Sequence, residues 1–231
     1  MNSAVYTSPV CMLTLTLGSF IIGSWIQRKT HAQFLHPCLT STVFIIIILC
    51  TSGIPFKTYF EANSILNFML GPSVVAIGVI LYEQLDKIRG NVIAILTSVV
   101  VGSIISVLSV MFVGRIFGLN TLLIHSFEPK CLTTPIAMSI SQTNGGNVSL
   151  TVVTVVVCGI VGAVFGPKLL KLFHVKNPIA RGLALGCTAH GLGTARAMQI
   201  GAVEGAVSGL AIALMGIAST LIIPLLNFIF R

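Results

Sequence analysis

Apolar residues run in stretches of about 20 along this chain, separated by short polar connections, and that alternation predicts membrane-crossing helices. A span of the hydrocarbon core needs roughly 20 such residues. The pattern predicts spans over residues 8–26, 34–52, 64–82, 91–113, 148–167 and 205–230. The first ends in Gln27, Arg28 and Lys29, and the second carries the run VFIIIIL before Gly53 and Pro55. Within 64–82 the pair Gly71-Pro72 sits in mid-segment, where proline removes a backbone donor, so this span is expected to kink or break.

Two further stretches are apolar enough to enter a bilayer but unsuited to a plain helix. Residues 120–146 place Glu128 and Lys130 among Pro129 and Pro135. Residues 181–201, RGLALGCTAHGLGTARAMQIG, carry His190, Arg196 and several glycines. Each glycine weakens a helix by about 1 kcal/mol relative to alanine, and an intramembrane arginine costs several more. A helix broken near the midplane accounts for both, its second half starting between Thr188 and Thr194 with free N–H groups facing a cavity. Glycines also serve close helix packing, and an arginine near a helix end can snorkel to the headgroups.

Composition agrees with a polytopic, all-α integral membrane protein. Of 231 residues 55% are hydrophobic and 8% charged. The chain reads as one transmembrane domain of about 6–8 segments over residues 1–231, with no separate soluble domain and no cleavable signal pattern. Thirteen basic residues against five acidic give a net charge of +8, but they sit in loops and form no stripe with interleaved aromatics. Orientation by the positive-inside rule explains them better than nucleic acid. Cys11, Cys38, Cys50, Cys131, Cys158 and Cys187 lie mostly in apolar segments without metal spacing, and read as small apolar residues. His125 and Glu128 stand three apart with no second pair, so no metal is expected.

Charge also decides how 120–146 runs. With the N-terminus outside and this segment fully crossing, positions 28, 29, 87 and 89 are inside while 57, 115, 168, 171, 176 and 181 are outside. If the segment enters and returns on one face, the last four join the inside set, leaving two outside. The rule favours that arrangement and predicts a re-entrant pair of short helices with Lys130 to Pro135 near the midplane.

A weak internal repeat accompanies the pattern. Leu70-Gly-Pro-Ser-Val-Val-Ala-Ile-Gly78 aligns with Leu185-Gly-Cys-Thr-Ala-His-Gly-Leu-Gly193 at an offset of 115. That offset carries 8–26 onto 123–141, 34–52 onto 149–167 and 91–113 onto 206–228. The loop charges suggest opposite orientation, so two inverted halves, about 8–115 and 120–231, are expected, an arrangement typical of secondary transporters with a midplane site.

The candidate site then comprises Lys130, Thr133 and Thr134 from the re-entrant segment with Thr188, His190, Gly191, Gly193, Thr194 and Arg196 from the broken helix. Arginine holds a carboxylate bidentately, lysine supplies a point charge, and threonine hydroxyls can read a neighbouring hydroxyl or keto oxygen. Glu128 is the expected ion-pair partner of Lys130 or Arg196 when the site is empty. Coupling to H⁺ through His190 or Glu128, or to Na⁺ through backbone and amide oxygens, is open. No paired carboxylates, nucleophile elbow or phosphate loop points to an enzyme, and no cofactor is expected.

Glu128 through Met138 and Ile179 through Arg196, with Ser52-Gly-Ile-Pro-Phe-Lys-Thr-Tyr59, Leu81-Tyr-Glu-Gln84, Gly145-Gly146 and Glu204-Gly-Ala-Val-Ser208, resemble the LrgB/CidB family of bacterial membrane proteins, related to the plastidal glycolate/glycerate translocator. The likeness covers about the last four fifths of the chain. It implies transport of small monocarboxylates such as glycolate, glycerate, pyruvate or lactate, or, alternatively, a holin-like effector regulating murein hydrolases and autolysis. It further implies the bacterial cytoplasmic (inner) membrane and a small LrgA/CidA-like membrane partner, and a homo-oligomer is compatible with it. The chain departs from the family pattern at Cys131, where serine is usual, at Cys187-Thr188-Ala189, where the usual order is Thr-Ala-Ser, and at Ile80, where proline is common.

Overall fold

A computed structural model describes residues 8–30 and 37–230. All regular structure among them is helical: α1 Pro9–Thr30, α2 Pro37–Ser52, α3 Phe56–Ala62, α4 Ser64–Glu83, α5 Leu85–Arg89, α6 Val92–Ile116, α7 Thr121–Phe127, α8 Thr134–Thr143, α9 Val148–Leu172, α10 Pro178–Ile200 and α11 Ala202–Ile229. Five of these, α1, α4, α6, α9 and α11, are long and apolar enough to cross a membrane, and α2 is a shorter apolar helix. The chain is therefore a polytopic helical membrane protein. Residues 34–36, the expected start of the second span, lie outside the described residues.

The helices form two compact units, residues 1–76 and 77–231. In the first, α1 packs on α2 and α3. A polar knot holds this corner: Thr16 Oγ1 and the Tyr59 hydroxyl are 2.7 Å apart, and Thr16 Oγ1 donates to Asn63 Oδ1 at 3.0 Å. Of the kink or break expected at Gly71-Pro72, no break occurs. Helix α4 continues through Pro72, because a single missing N–H leaves only one carbonyl without its helical donor.

The second unit holds the buried apolar core, drawn chiefly from α6, α9, α10 and α11 around Val99, Val155, Ala206 and Ala211. Helices α6 and α11 run side by side in the same direction. Ser103 lies by Ser219 at 3.2 Å in the middle of the pair, and Arg115 near the end of α6 donates to the Phe230 carbonyl just past the end of α11. Inverted halves at an offset of 115 would make this pair antiparallel, so that relation does not hold. Of the other counterparts, α2 falls on α9 and α4 on α10, whereas α1 is one helix and residues 121–143 are two.

Between α6 and α9 the chain makes the expected re-entrant excursion. Helix α7 runs back along α6, with Ile124 near Gly114 and Lys130 beside Ser106. Helix α8 then returns along α9, with Cys131 beside Cys158 and Ser141 bonded to Thr151. The ends are tied together, because the Asn147 N–H donates to Ser126 Oγ at 2.7 Å and His125 Nδ1 donates to the Asn144 carbonyl at 2.5 Å.

Candidate functional site

The second unusual stretch also folds back. Backbone geometry inside α10 is helical except at His190, whose φ of 38° and ψ of −127° reverse the chain. These angles approximate the first central position of a type II′ turn, which favours glycine. Along the first arm, Gly182 lies against Glu204 and Gly186 against Ser208, so this arm runs parallel to α11. Beyond the turn the order reverses: Thr194 Oγ1 meets Ser208 Oγ at 2.7 Å and Met198 lies at Gly205. Gly193 lies directly on the Leu185 carbonyl, an approach eight residues apart that no straight helix makes. The expected broken span is thus a second hairpin, closed at its base by an ion pair of Arg181 Nη1 and Glu204 Oε1 at 3.6 Å.

The two hairpins come from opposite ends of the bundle and their tips meet halfway. Helix α9 runs antiparallel to the first arm of α10, with Gly159 at His190, Gly162 at Ala189 and Gly166 at Leu185. It is therefore antiparallel to α11 and α6. The first hairpin leaves from where α6 ends, and the second leaves from where α9 ends. Cys158, mid-way along α9, links the tips: its sulfur is 3.9 Å from Cys131 Sγ and donates to the Thr188 carbonyl at 3.4 Å.

Each tip is fastened to the helix preceding it. Lys130 Nζ donates to the Ser106 carbonyl at 3.0 Å, with the Ser106 and Ser109 hydroxyls at 3.4 and 3.3 Å. His190 Nε2 donates to the Val155 carbonyl at 3.0 Å, so its ring ties the turn to α9. A side chain at Gly159 would collide with that ring, 2.7 Å from both Cε1 and Nε2. Glycine there lets the histidine dock.

The predicted site residues are brought together in part. Lys130, Thr133, Thr134, Thr188, His190 and Gly191 lie at or beside the two tips. Thr133 stands at the N-cap of α8 without a side-chain cap bond, so the amino end of that helix, with its partial positive charge, starts at the tip. The returning arm of the second hairpin starts there too. Thr188 Oγ1 is engaged with the Ala184 carbonyl at 2.6 Å. Gly193 and Thr194 are buried between arms and α11, where they close the hairpin. Arg196 is exposed on the returning arm and bonds Gln199 Oε1 at 2.6 Å.

The expected pairing of Glu128 with Lys130 or Arg196 does not form. Lys130 turns to α6, and Glu128 turns the other way, its Oε2 accepting from Asn227 Nδ2 at 2.9 Å. Sequence reading missed Asn227, Ser106, Cys158 and Ser208. Asn227 had a signal, being the sole amide in the apolar run LLNFIF. Among the described residues no group of three His, Cys, Asp or Glu could hold a metal ion.

Long apolar helices enclosing two opposed hairpins define a multi-pass membrane protein with irregular backbone at mid-depth, tolerated in a bilayer only where protein or a cavity surrounds it. Residues 16–229 match the LrgB-like family, and the chain belongs to it. Among relatives, the holin-like protein CidB of Staphylococcus epidermidis is 31% identical over 225 residues, 97% of this chain and 98% of that protein. The antiholin-like protein LrgB of Bacillus mycoides is 33% identical over 219 residues, 94% of this chain and 95% of its own length, and a Bacillus cereus protein of the same name matches equally. No solved structure matches. The protein is accordingly a multi-pass bacterial membrane protein.

Proposed function

We propose that this protein carries small monocarboxylate anions across the bacterial cytoplasmic membrane. The observation behind this reading is the meeting of two oppositely inserted hairpin tips at Lys130. This lysine has no carboxylate within ion-pair distance among the described residues. Its present acceptors are one carbonyl and two hydroxyls, neutral groups that an anion can displace without separating an ion pair. The amino ends of α8 and of the returning arm at the same depth add positive potential. Thr133, Thr134 and Thr188 offer hydroxyls for a substituent beside the carboxylate. Arg196 belongs outside this site, being exposed and bonded to Gln199.

A second reading has its own support. Relatives named holin-like and antiholin-like favour an effector that alters the membrane, controls wall hydrolases and acts with an LrgA/CidA-like partner or as an oligomer of itself. The names support that reading more directly than they support a carrier.

Uptake of labelled glycolate, glycerate, lactate and pyruvate into proteoliposomes, with and without the small partner, separates the two. A carrier gives saturable flux that Lys130→Ala abolishes and Arg196→Ala leaves within about threefold, a ratio below 1 kcal/mol. Non-selective leakage indifferent to Lys130→Ala would overturn the carrier and leave the effector.

A further inference from the structure

A cavity of about 650 Å³ lies between α6, the first hairpin and the end of α11, lined in part by Arg115, His125, Glu128, Asn144 and Asn227. It is separate from the hairpin tips. Glu128 is only 2% exposed and its carboxyl group is bonded to Asn227 through Oε2. Its second oxygen, Oε1, is buried without a hydrogen-bond partner among the described residues, and so is Asn227 Oδ1. Two groups held together by one bond thus each have their other oxygen orphaned.

That pattern has a simple chemical completion. A protonated carboxyl and a primary amide pair through two bonds: the amide N–H donates to one acid oxygen, and the acid O–H donates to the amide oxygen. The first of these bonds is present. A proton shared between Oε1 and Oδ1 would supply the second and satisfy both orphans together. An ionised carboxylate there would be a buried charge without an ion-pair partner among the described residues, at a desolvation cost that the proton removes.

His125 and Arg115 share the cavity, but among the described residues no cation is within ion-pair distance of Glu128. On the hairpin, His125 directs Nδ1 to the Asn144 carbonyl and Lys130 directs its ammonium to α6. From α6, Arg115 is engaged with the Phe230 carbonyl and lies 6.0 Å from the centre of the Phe230 ring. The lining residues from α8 and α11, Thr143, Asn144, Asn227, Phe228 and Phe230, are neutral. A metal cation would need further oxygens beyond these two.

We propose that Glu128 and Asn227 form a proton-binding site, with one exchangeable proton held between Glu128 Oε1 and Asn227 Oδ1 and exchanged with water through the cavity. Releasing it removes a bond between the first hairpin and α11. The proton site stands whether or not the protein carries an anion; its use for coupling rests on the carrier reading.

Infrared difference spectra of the full-length protein in lipid nanodiscs, taken between acidic and alkaline buffers, test it without transport. A carboxylic-acid carbonyl band should appear on acidification, vanish in Glu128→Gln, persist in Glu204→Gln and shift to higher frequency in Asn227→Leu, which removes its hydrogen bonds. Glutamine at 128 keeps an amide pair with Asn227, so the hairpin stays closed, and an unchanged elution profile confirms folding. A Glu128→Gln spectrum identical to wild type would overturn the assignment. So would a Glu128-dependent change produced at constant pH by replacing K⁺ with Na⁺, which would make the site one for sodium.

Discussion

Replacing Gly193 by alanine tests the second hairpin through a steric conflict that exists only if residues 178–200 fold back. A Cβ at this position would lie on the Leu185 carbonyl oxygen, 3.0 Å from its carbon and 2.8 Å from Ala189 Cβ. Two of those three atoms are backbone of the opposite arm, so no side-chain rotation relieves the clash. The arms must part by about 1 Å to restore ordinary contact. Overpacking of this kind costs about 3 kcal/mol, and alanine in place of a helical glycine returns about 1 kcal/mol. The net loss of about 2 kcal/mol corresponds to a fall in Tm of roughly 4–8 °C for a chain of this size. Gly191 is the control, because a Cβ there meets nothing within 4 Å. Gly191→Ala should hold Tm or raise it by up to about 4 °C. Melting in detergent can be followed by dye reaction at buried Cys187. In a straight helix the two substitutions would act alike, so Gly193→Ala melting with Gly191→Ala refutes the hairpin.

The turn itself gives a paired prediction. His190→Ala and His190→Gly both lose the bond to Val155, but only glycine accepts a φ of 38° freely, so alanine should be the less stable by about 1–2 kcal/mol in denaturant titration; equal stability would refute the strained turn. Single cysteines at Asn177 and Gln199 should react with an impermeant maleimide from one face, and cysteines at Thr121 and Thr143 from the opposite face. Labelling of either pair from both faces would mean that its segment crosses.

Much of this fold was legible because hydrophobic length carries the signal. The spans over 64–82, 91–113, 148–167 and 205–230 became α4, α6, α9 and α11 with boundaries moved by a few residues. The first hairpin was legible from two prolines and a charge count. The second was legible as a break but not as a hairpin, because a broken stretch of 23 residues reads alike whether its halves cross or pack together. The signal was His190-Gly191 at the turn, with small residues where the arms touch, a pattern that also serves ordinary helix packing. Site chemistry was legible where it depended on residue type, as at Lys130 and the threonines. Partners were harder to read. Sequence proximity suggested Glu128 for Lys130, yet the two side chains leave the hairpin in different directions, one to α6 and one to α11.

Repetition is present in the second unit with a shorter period than the sequence suggested. Helices α6 and α9 each have 25 residues and each is followed by a hairpin. Val92 and Val148 are 56 apart, and the hairpin starts, Thr121 and Pro178, are 57 apart. The two helix-and-hairpin pieces run in opposite directions, and in each the tip bonds to the preceding helix, Lys130 to Ser106 and His190 to Val155. They share no motif, since one tip turns at prolines and the other at His190-Gly191. What repeats is a geometric requirement. Each hairpin stops at mid-depth with a polar side chain at its tip, and the long helix beside it supplies that side chain with a carbonyl oxygen where lipid could supply none.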